Sequence, residues 1–119
     1  MALNIEGYAN NGGRAGGLSL ITDKHGRLRI SAGLAKFLYI SGKDAEFYLG
    51  FDRESGRIAL GSPEFMTPDD MKPVRFDAKR RYASARPFFA QFGIPLEAAR
   101  YDYEDKVNHW LLFRRVAEV

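Results

Sequence analysis

Asp23-Lys24-His25-Gly26-Arg27-Leu28-Arg29-Ile30 decides the reading of the fold, because 54 residues on it is met again as Asp77-Ala78-Lys79-Arg80-Arg81-Tyr82-Ala83-Ser84. In each stretch an aspartate precedes a tight turn, and an arginine and a short extended run follow it. Working outward at the same spacing, Ile40 falls on Ile94 and Ala45 on Ala99, while Leu28 meets Tyr82, Leu34 meets Phe88, Leu38 meets Phe92, Phe47 meets Tyr101 and Leu49 meets Tyr103. Near the end the spacing drops to 53, with Ile58 on Leu111 and Leu60 on Phe113, so the second hairpin loop is expected to be one residue shorter. A fixed internal period is the mark of a repeated supersecondary unit.

Each unit reads as strand, turn, strand, short helix, strand, hairpin, strand. In the first, LSLIT and RLRIS flank the turn, Ser31 can cap a helix carrying Leu34, Phe37 and Leu38, and Ala45, Phe47, Leu49 and Phe51 alternate with Glu46, Tyr48 and Gly50 as a half-buried strand does. DRESG is a hairpin turn and RIALG the return. In the second, Ser84 can cap a helix with Pro87 in its first turn, Phe88, Phe89 and Phe92 line it, Gly93 stops it, and HWLLF is the return strand. The expected fold is mainly β with short helices, an α+β chain of tandem pseudo-two-fold β-β-α-β-β repeats forming one barrel. Residues 1–17 read as a flexible N-terminal arm through NNGGRAGG, which lacks the Gly-Lys-Ser/Thr ending of a phosphate loop. Residues 18–119 read as a single domain: repeat 1 over 18–61, a linker over 62–73, and repeat 2 over 74–115. The linker SPEFMTPDDMKP holds three prolines and three acids, and Phe65, Met66 and Met71 are expected to tack it to the core.

Composition narrows the function classes. The 119 residues suit one domain, and a hydrophobic share of 45% is enough for a single core. There is no cysteine, which excludes disulfides, thiol nucleophiles and cysteine metal sites. The two histidines, His25 and His109, fall at unmatched places in the two units, so no metal ligand set is expected. No nucleophile–base pair, paired-carboxylate site or nucleotide fingerprint is present, and the expectation is a binding protein with no catalytic residues and no cofactor. The opening residues lack the pattern of a signal peptide, and no run approaches the roughly 18 apolar residues of a membrane span. A cytoplasmic location and no membrane partner are expected.

The pattern D-x-x-G-R-h-x-h over Asp23 to Ile30, then a helix ending at Ile40, the Gly42-Lys43-Asp44 segment and a β-hairpin resembles the AbrB/MraZ-type swapped-hairpin family over about 40 residues. Repeat 2 resembles it more weakly, through FDAKRRYASARPFFAQFGIPLEAARYDYED. Ser31 stands where many members carry proline, and Arg80 stands where repeat 1 has its turn glycine. The resemblance implies two units with interlocked hairpins in one barrel-like body, and a role as a DNA-binding transcription regulator or an antitoxin.

The net charge is +3 and unevenly spread. Residues 18–61 hold seven basic and five acidic side chains, and residues 72–115 hold ten and five. The basic side chains cluster around the two turns, and the expected contacts to double-stranded DNA are Lys24, Arg27, Arg29, Lys36, Arg75, Lys79, Arg80, Arg81 and Arg86. Arg27 and Arg81, the matched arginines, are expected to meet related half-sites. Asp23 and Asp77 are expected to accept backbone N–H groups or to orient the arginines. The alternative is a protein-interaction module, an inhibitor or antitoxin-like partner binder, that keeps the fold without binding DNA and uses aromatics of repeat 2. A homo-oligomer is left open.

Overall fold

The computed structural model describes residues 17–116. The arm read over residues 1–17 therefore lies outside the described residues apart from Gly17, as do residues 117–119. The elements are β1 (Ser19–Thr22), β2 (Arg27–Ile30), α1 (Ala32–Phe37), β3 (Ala45–Asp52), β4 (Arg57–Gly61), β5 (Val74–Phe76), β6 (Tyr82–Ser84), α2 (Arg86–Phe92), β7 (Ala99–Val107) and β8 (Trp110–Arg115). The protein is mainly β, as expected, with two short helices.

All eight strands join one antiparallel sheet in the order β5-β3-β4-β8-β7-β1-β2-β6. The two end strands, β5 and β6, are consecutive in sequence and meet across the turn Asp77–Arg81, where the Asp77 N–H donates to the Tyr82 carbonyl at 3.1 Å. The sheet is thus a nearly closed barrel, which leaves little unpaired edge exposed. Alternation along each strand sends one set of side chains inward. Leu20, Leu28, Ile30, Ile58, Leu60 and Phe113 are wholly buried there. The helices add Leu34 and Ala35 from α1 and Phe88 and Phe89 from α2, while Leu38 and Phe92 pack at the margin of the same core. Each fully buried side chain of this size contributes about 1.5–3 kcal/mol.

Local chemistry explains most of the boundaries. The Ser31 hydroxyl accepts the Leu34 N–H at 3.1 Å and caps α1 as expected. The cap of α2 differs from expectation. Ser84 is the last residue of β6, paired with Arg27, and the capping position falls on Ala85, which has no side-chain acceptor. Ala85 is buried, so the strand–helix junction spends its one residue on packing and leaves the cap to Pro87, whose missing N–H removes one orphan donor. Phe37, at the end of α1, is 48% exposed and leans on Tyr103 at a ring separation of 5.9 Å.

The second hairpin is shorter by a different route from the one expected. Four residues, Arg53 to Gly56, link β3 to β4, but only Asn108 and His109 link β7 to β8. Both take left-handed conformations, φ 49° and 70°, as a two-residue hairpin turn requires. A bulge between Tyr103 and Asp105 restores one residue, so the net difference is one. None of Phe65, Met66 and Met71, the residues expected to tack the linker down, packs against the core. Met66 lies on the outer face over Gly61, and Phe65 stacks on the His109 ring at 5.6 Å while remaining 59% exposed.

Candidate nucleic-acid interface

Turn 1, Asp23 to Gly26, is organised by its aspartate. Asp23 Oδ1 accepts the N–H of His25 at 2.9 Å and of Arg27 at 3.0 Å, and Oδ2 accepts Arg27 Nε at 2.7 Å. Burial works to raise this carboxyl, but the Arg27 N–H, the Arg27 guanidinium and the His25 N–H outweigh it, and Asp23 titrates below the usual carboxylate range. The Arg27 guanidinium lies 4.4 Å above the Tyr82 ring, within cation–π range. Held by its Nε on one side and the ring beneath, Arg27 keeps its two terminal nitrogens without an acceptor among the described residues. That is the fork geometry by which arginine meets a phosphate or a base edge.

Turn 2, Asp77 to Arg81, is built the same way with one more residue. Asp77 Oδ2 accepts the N–H of Arg80 at 2.8 Å and of Lys79 at 3.2 Å, and Oδ1 accepts the N–H of Tyr82 at 2.9 Å. The backbone N–H groups of Arg80 and Tyr82 hold this carboxyl below its ordinary value. The residue whose N–H reaches back to the turn aspartate is Arg27 after turn 1 and Tyr82 after turn 2. The residue in left-handed conformation just before it is Gly26 (φ 75°) in turn 1 and Arg81 (φ 60°) in turn 2. Arg81 thus sits where turn 1 has its glycine, and the expectation that Arg27 and Arg81 are geometric counterparts is corrected. The physical reason is the extra residue in turn 2. Arg81 Nε donates to the Ile30 carbonyl at 2.8 Å, so this side chain ties turn 2 to the end of β2.

The two turns are brought together by the ladder between β2 and β6. Arg27 pairs with Ser84, Leu28 with Ala83 and Arg29 with Tyr82. Leu28 and Ala83 point inward, so Arg27, Arg29, Tyr82 and Ser84 point out. Three paired residues put the turns about 10 Å apart at opposite ends of one short ladder. Arg27, Arg29, Arg80, Arg81 and Tyr82 line a single shallow depression between them. No acid lines it.

The other expected contacts lie around or away from it. Lys24 and Lys79 are exposed in turns 1 and 2. Arg86, first residue of α2, packs its stem against Gly26: a Cβ at Gly26 would overlap Arg86 Cγ and lie 3.2 Å from its Cα. Arg75 is paired with Asp44, which also accepts the Ala78 N–H at 2.7 Å and so braces turn 2. Lys36 is exposed on the last turn of α1 and does not line the depression.

One residue escaped the sequence reading. Ile21 on β1 stands opposite both Arg29 and Arg100, which places Arg100, Ile21, Arg29 and Tyr82 in one outward row across four strands. Arg100 Nε lies 3.1 Å from Asp102 Oδ1, but its N–H is not aimed there and makes no hydrogen bond. Strand alternation already marks Arg100 as outward. Only the pairing of β1 with β7, which no local pattern announces, puts it beside Arg29.

Of the repeat 2 aromatics on which the partner-binding alternative draws, Phe88, Phe89, Tyr101 and Phe113 are buried and Phe92, Tyr103 and Trp110 partly so. The exposed large apolar side chains among the described residues are Phe37, Tyr39, Phe65, Leu96 and Val107. Among the described residues no group of three His, Asp or Glu side chains could hold a metal ion, and no helix is long and apolar enough to cross a membrane.

Fold and site together define the class: a nearly closed eight-stranded β-barrel with two short helices and an arginine-lined depression on its outer wall. Compared with known proteins, the chain matches no family model, no curated protein and no solved structure.

Proposed function

We propose that the chain is a tandem swapped-hairpin protein of the AbrB/MraZ type, a cytoplasmic transcription regulator that grips double-stranded DNA with the depression between its two basic turns. The element order supports the tandem reading, since residues 18–61 and 74–115 each run β-β-α-β-β. Strand partners support the interlocked reading. Every strand pairing between hairpins joins one half of the chain to the other: β1 with β7, β2 with β6, β3 with β5 and β4 with β8. The registers support a pseudo-two-fold. Leu20 opposite Tyr101 becomes Val74 opposite Phe47 when the halves are exchanged, and Ile58 opposite Phe113 becomes Leu111 opposite Leu60.

The observation that carries the function is the convergence of Arg27, Arg29, Arg80 and Arg81 around Tyr82, from turns that lie far apart in sequence. A duplex presents one negative charge about every 1.7 Å of axis, so a basic strip about 10 Å long faces several phosphates at once. Four neutralised phosphates give a slope of log affinity against log salt of about −3 to −4. Duplex titrations across a salt series test this. Wild type is expected to show that slope, and Arg29→Ala with Arg80→Ala to flatten it by about two. A wild type without duplex affinity near about 50 mM salt, where phosphate contacts are strongest, rejects the reading.

A further inference from the structure

The two helices end alike, and their difference points to a surface. After α2, Gly93 takes the left-handed conformation (φ 67°), its N–H donates to the Ala90 carbonyl, and the Ile94 N–H reaches back to the Phe89 carbonyl at 2.9 Å. After α1, Tyr39 does the same work at φ 60°, with its N–H on the Lys36 carbonyl and the Ile40 N–H on the Ala35 carbonyl at 2.9 Å. Glycine holds this conformation without strain, whereas a side chain there is disfavoured. Tyr39 bears that strain and gains no packing for it, since the residue is 87% exposed. Phe37, two residues before, is also exposed. The segment 31–44 carries Lys36 and Lys43, and its one acid, Asp44, is paired with Arg75. It is an aromatic patch with basic neighbours, the composition of an interaction hot spot.

A segment of complementary chemistry is exposed on the same chain. The linker, residues 62–73, carries Glu64, Asp69 and Asp70 against one base, Lys72, and presents the exposed ring of Phe65. Within the single chain Phe37 leans on Tyr103 and Phe65 on His109, yet Phe37, Tyr39 and Phe65 all remain exposed. We propose that a second copy of the chain covers them: the acidic linker of one copy docks on the Phe37–Tyr39 patch of another, Phe65 against the aromatics and the three acids against Lys36 and Lys43. Opposite charge sets the register, and the strained Tyr39 is the anchor. This association does not depend on DNA.

Sedimentation velocity over a concentration series, at low and high salt, tests it. Wild type is expected to self-associate with concentration and to loosen as salt rises, because exposed charge pairs are screened. Tyr39→Gly is expected to weaken association at least about tenfold while melting no lower than wild type, since glycine relieves the left-handed strain. Lys36→Glu with Lys43→Glu should weaken association too, and adding Asp69→Lys with Asp70→Lys should restore it. The proposal is overturned by a wild type that stays monomeric up to about millimolar concentration, the range of even weak complexes. It is equally overturned if Tyr39→Gly associates as wild type does, or if the reversed pairs fail to restore association.

Discussion

Replacing Gly26 with alanine strikes the junction on which the barrel depends, because turn 1 and the start of α2 touch there. Two costs add. The first is conformational: Gly26 has φ 75°, and a side chain in that region costs about 1 kcal/mol. The second is steric. The new Cβ would overlap Arg86 Cγ and sit 3.2 Å from Arg86 Cα and Cβ, and these are atoms at the root of the side chain, tied to the helix backbone. Overpacking of that kind costs about 1–3 kcal/mol. Gly42 provides the control. It has nearly the same φ, 73°, with nothing within 4 Å of an added Cβ, so Gly42→Ala should show the first cost alone. For a chain of this size about 1 kcal/mol moves the melting temperature by a few degrees. Gly42→Ala should therefore melt a few degrees below wild type, and Gly26→Ala roughly twice to four times as far below. Thermal melts followed by circular dichroism measure both, and Arg86→Ala in the Gly26→Ala background should recover part of the difference. If Gly26→Ala and Gly42→Ala melt together, turn 1 does not abut α2 and the interlocking of the two halves is wrong.

Other outcomes follow from the same geometry. Phe113→Ala, at a wholly buried position facing Ile58, should cost about 3–5 kcal/mol in urea unfolding, and a loss below about 1 kcal/mol would remove Phe113 from the core. Asp77 is held below its ordinary value by the N–H groups of Arg80 and Tyr82, so its contribution to stability is present above the unfolded value near 3.8 and is lost as pH falls through the lower folded value. The melting temperature should drop as pH falls below about 4, and less steeply in Asp77→Asn; parallel curves would show that the turn does not use the carboxylate. Truncation after residue 61 leaves β1, β2, β3 and β4 without their partners β7, β6, β5 and β8, and the fragment should unfold or pair with a second copy; a monomeric, well-folded fragment would contradict the shared core.

Much of this fold can be read from local chemistry. Asp23 and Asp77 organise their turns as their type and position suggest, Ser31 caps α1, and the alternation in RLRI and RIALG separates inward from outward side chains. What misleads is a pair of compensating changes. Turn 2 carries one residue more than turn 1, and the junction between β6 and α2 carries one fewer, with Ala85 serving as both buried strand end and helix cap. An ungapped match slides over both, which is why it sets Arg81 on Arg27 and Leu28 on Tyr82. In the barrel, Leu28 points in and Tyr82 points out beneath a guanidinium. Periodicity cannot see this, because a one-residue slip inverts the face of every side chain in a strand. Arg100 was missed for the other general reason: its neighbours Ile21 and Arg29 reach it only through long-range pairing.

The depression between the two turns is the proposed site for nucleic acid. Amide chemical shifts of the isotope-labelled protein, followed as a duplex is added at low salt, test it most directly. The account predicts shifts concentrated at Lys24 to Arg29, Lys79 to Tyr82 and Arg100, with the opposite wall at Ala59, Trp110 and Leu112 unmoved. Shifts confined to that opposite wall, or no shifts at all, would contradict it.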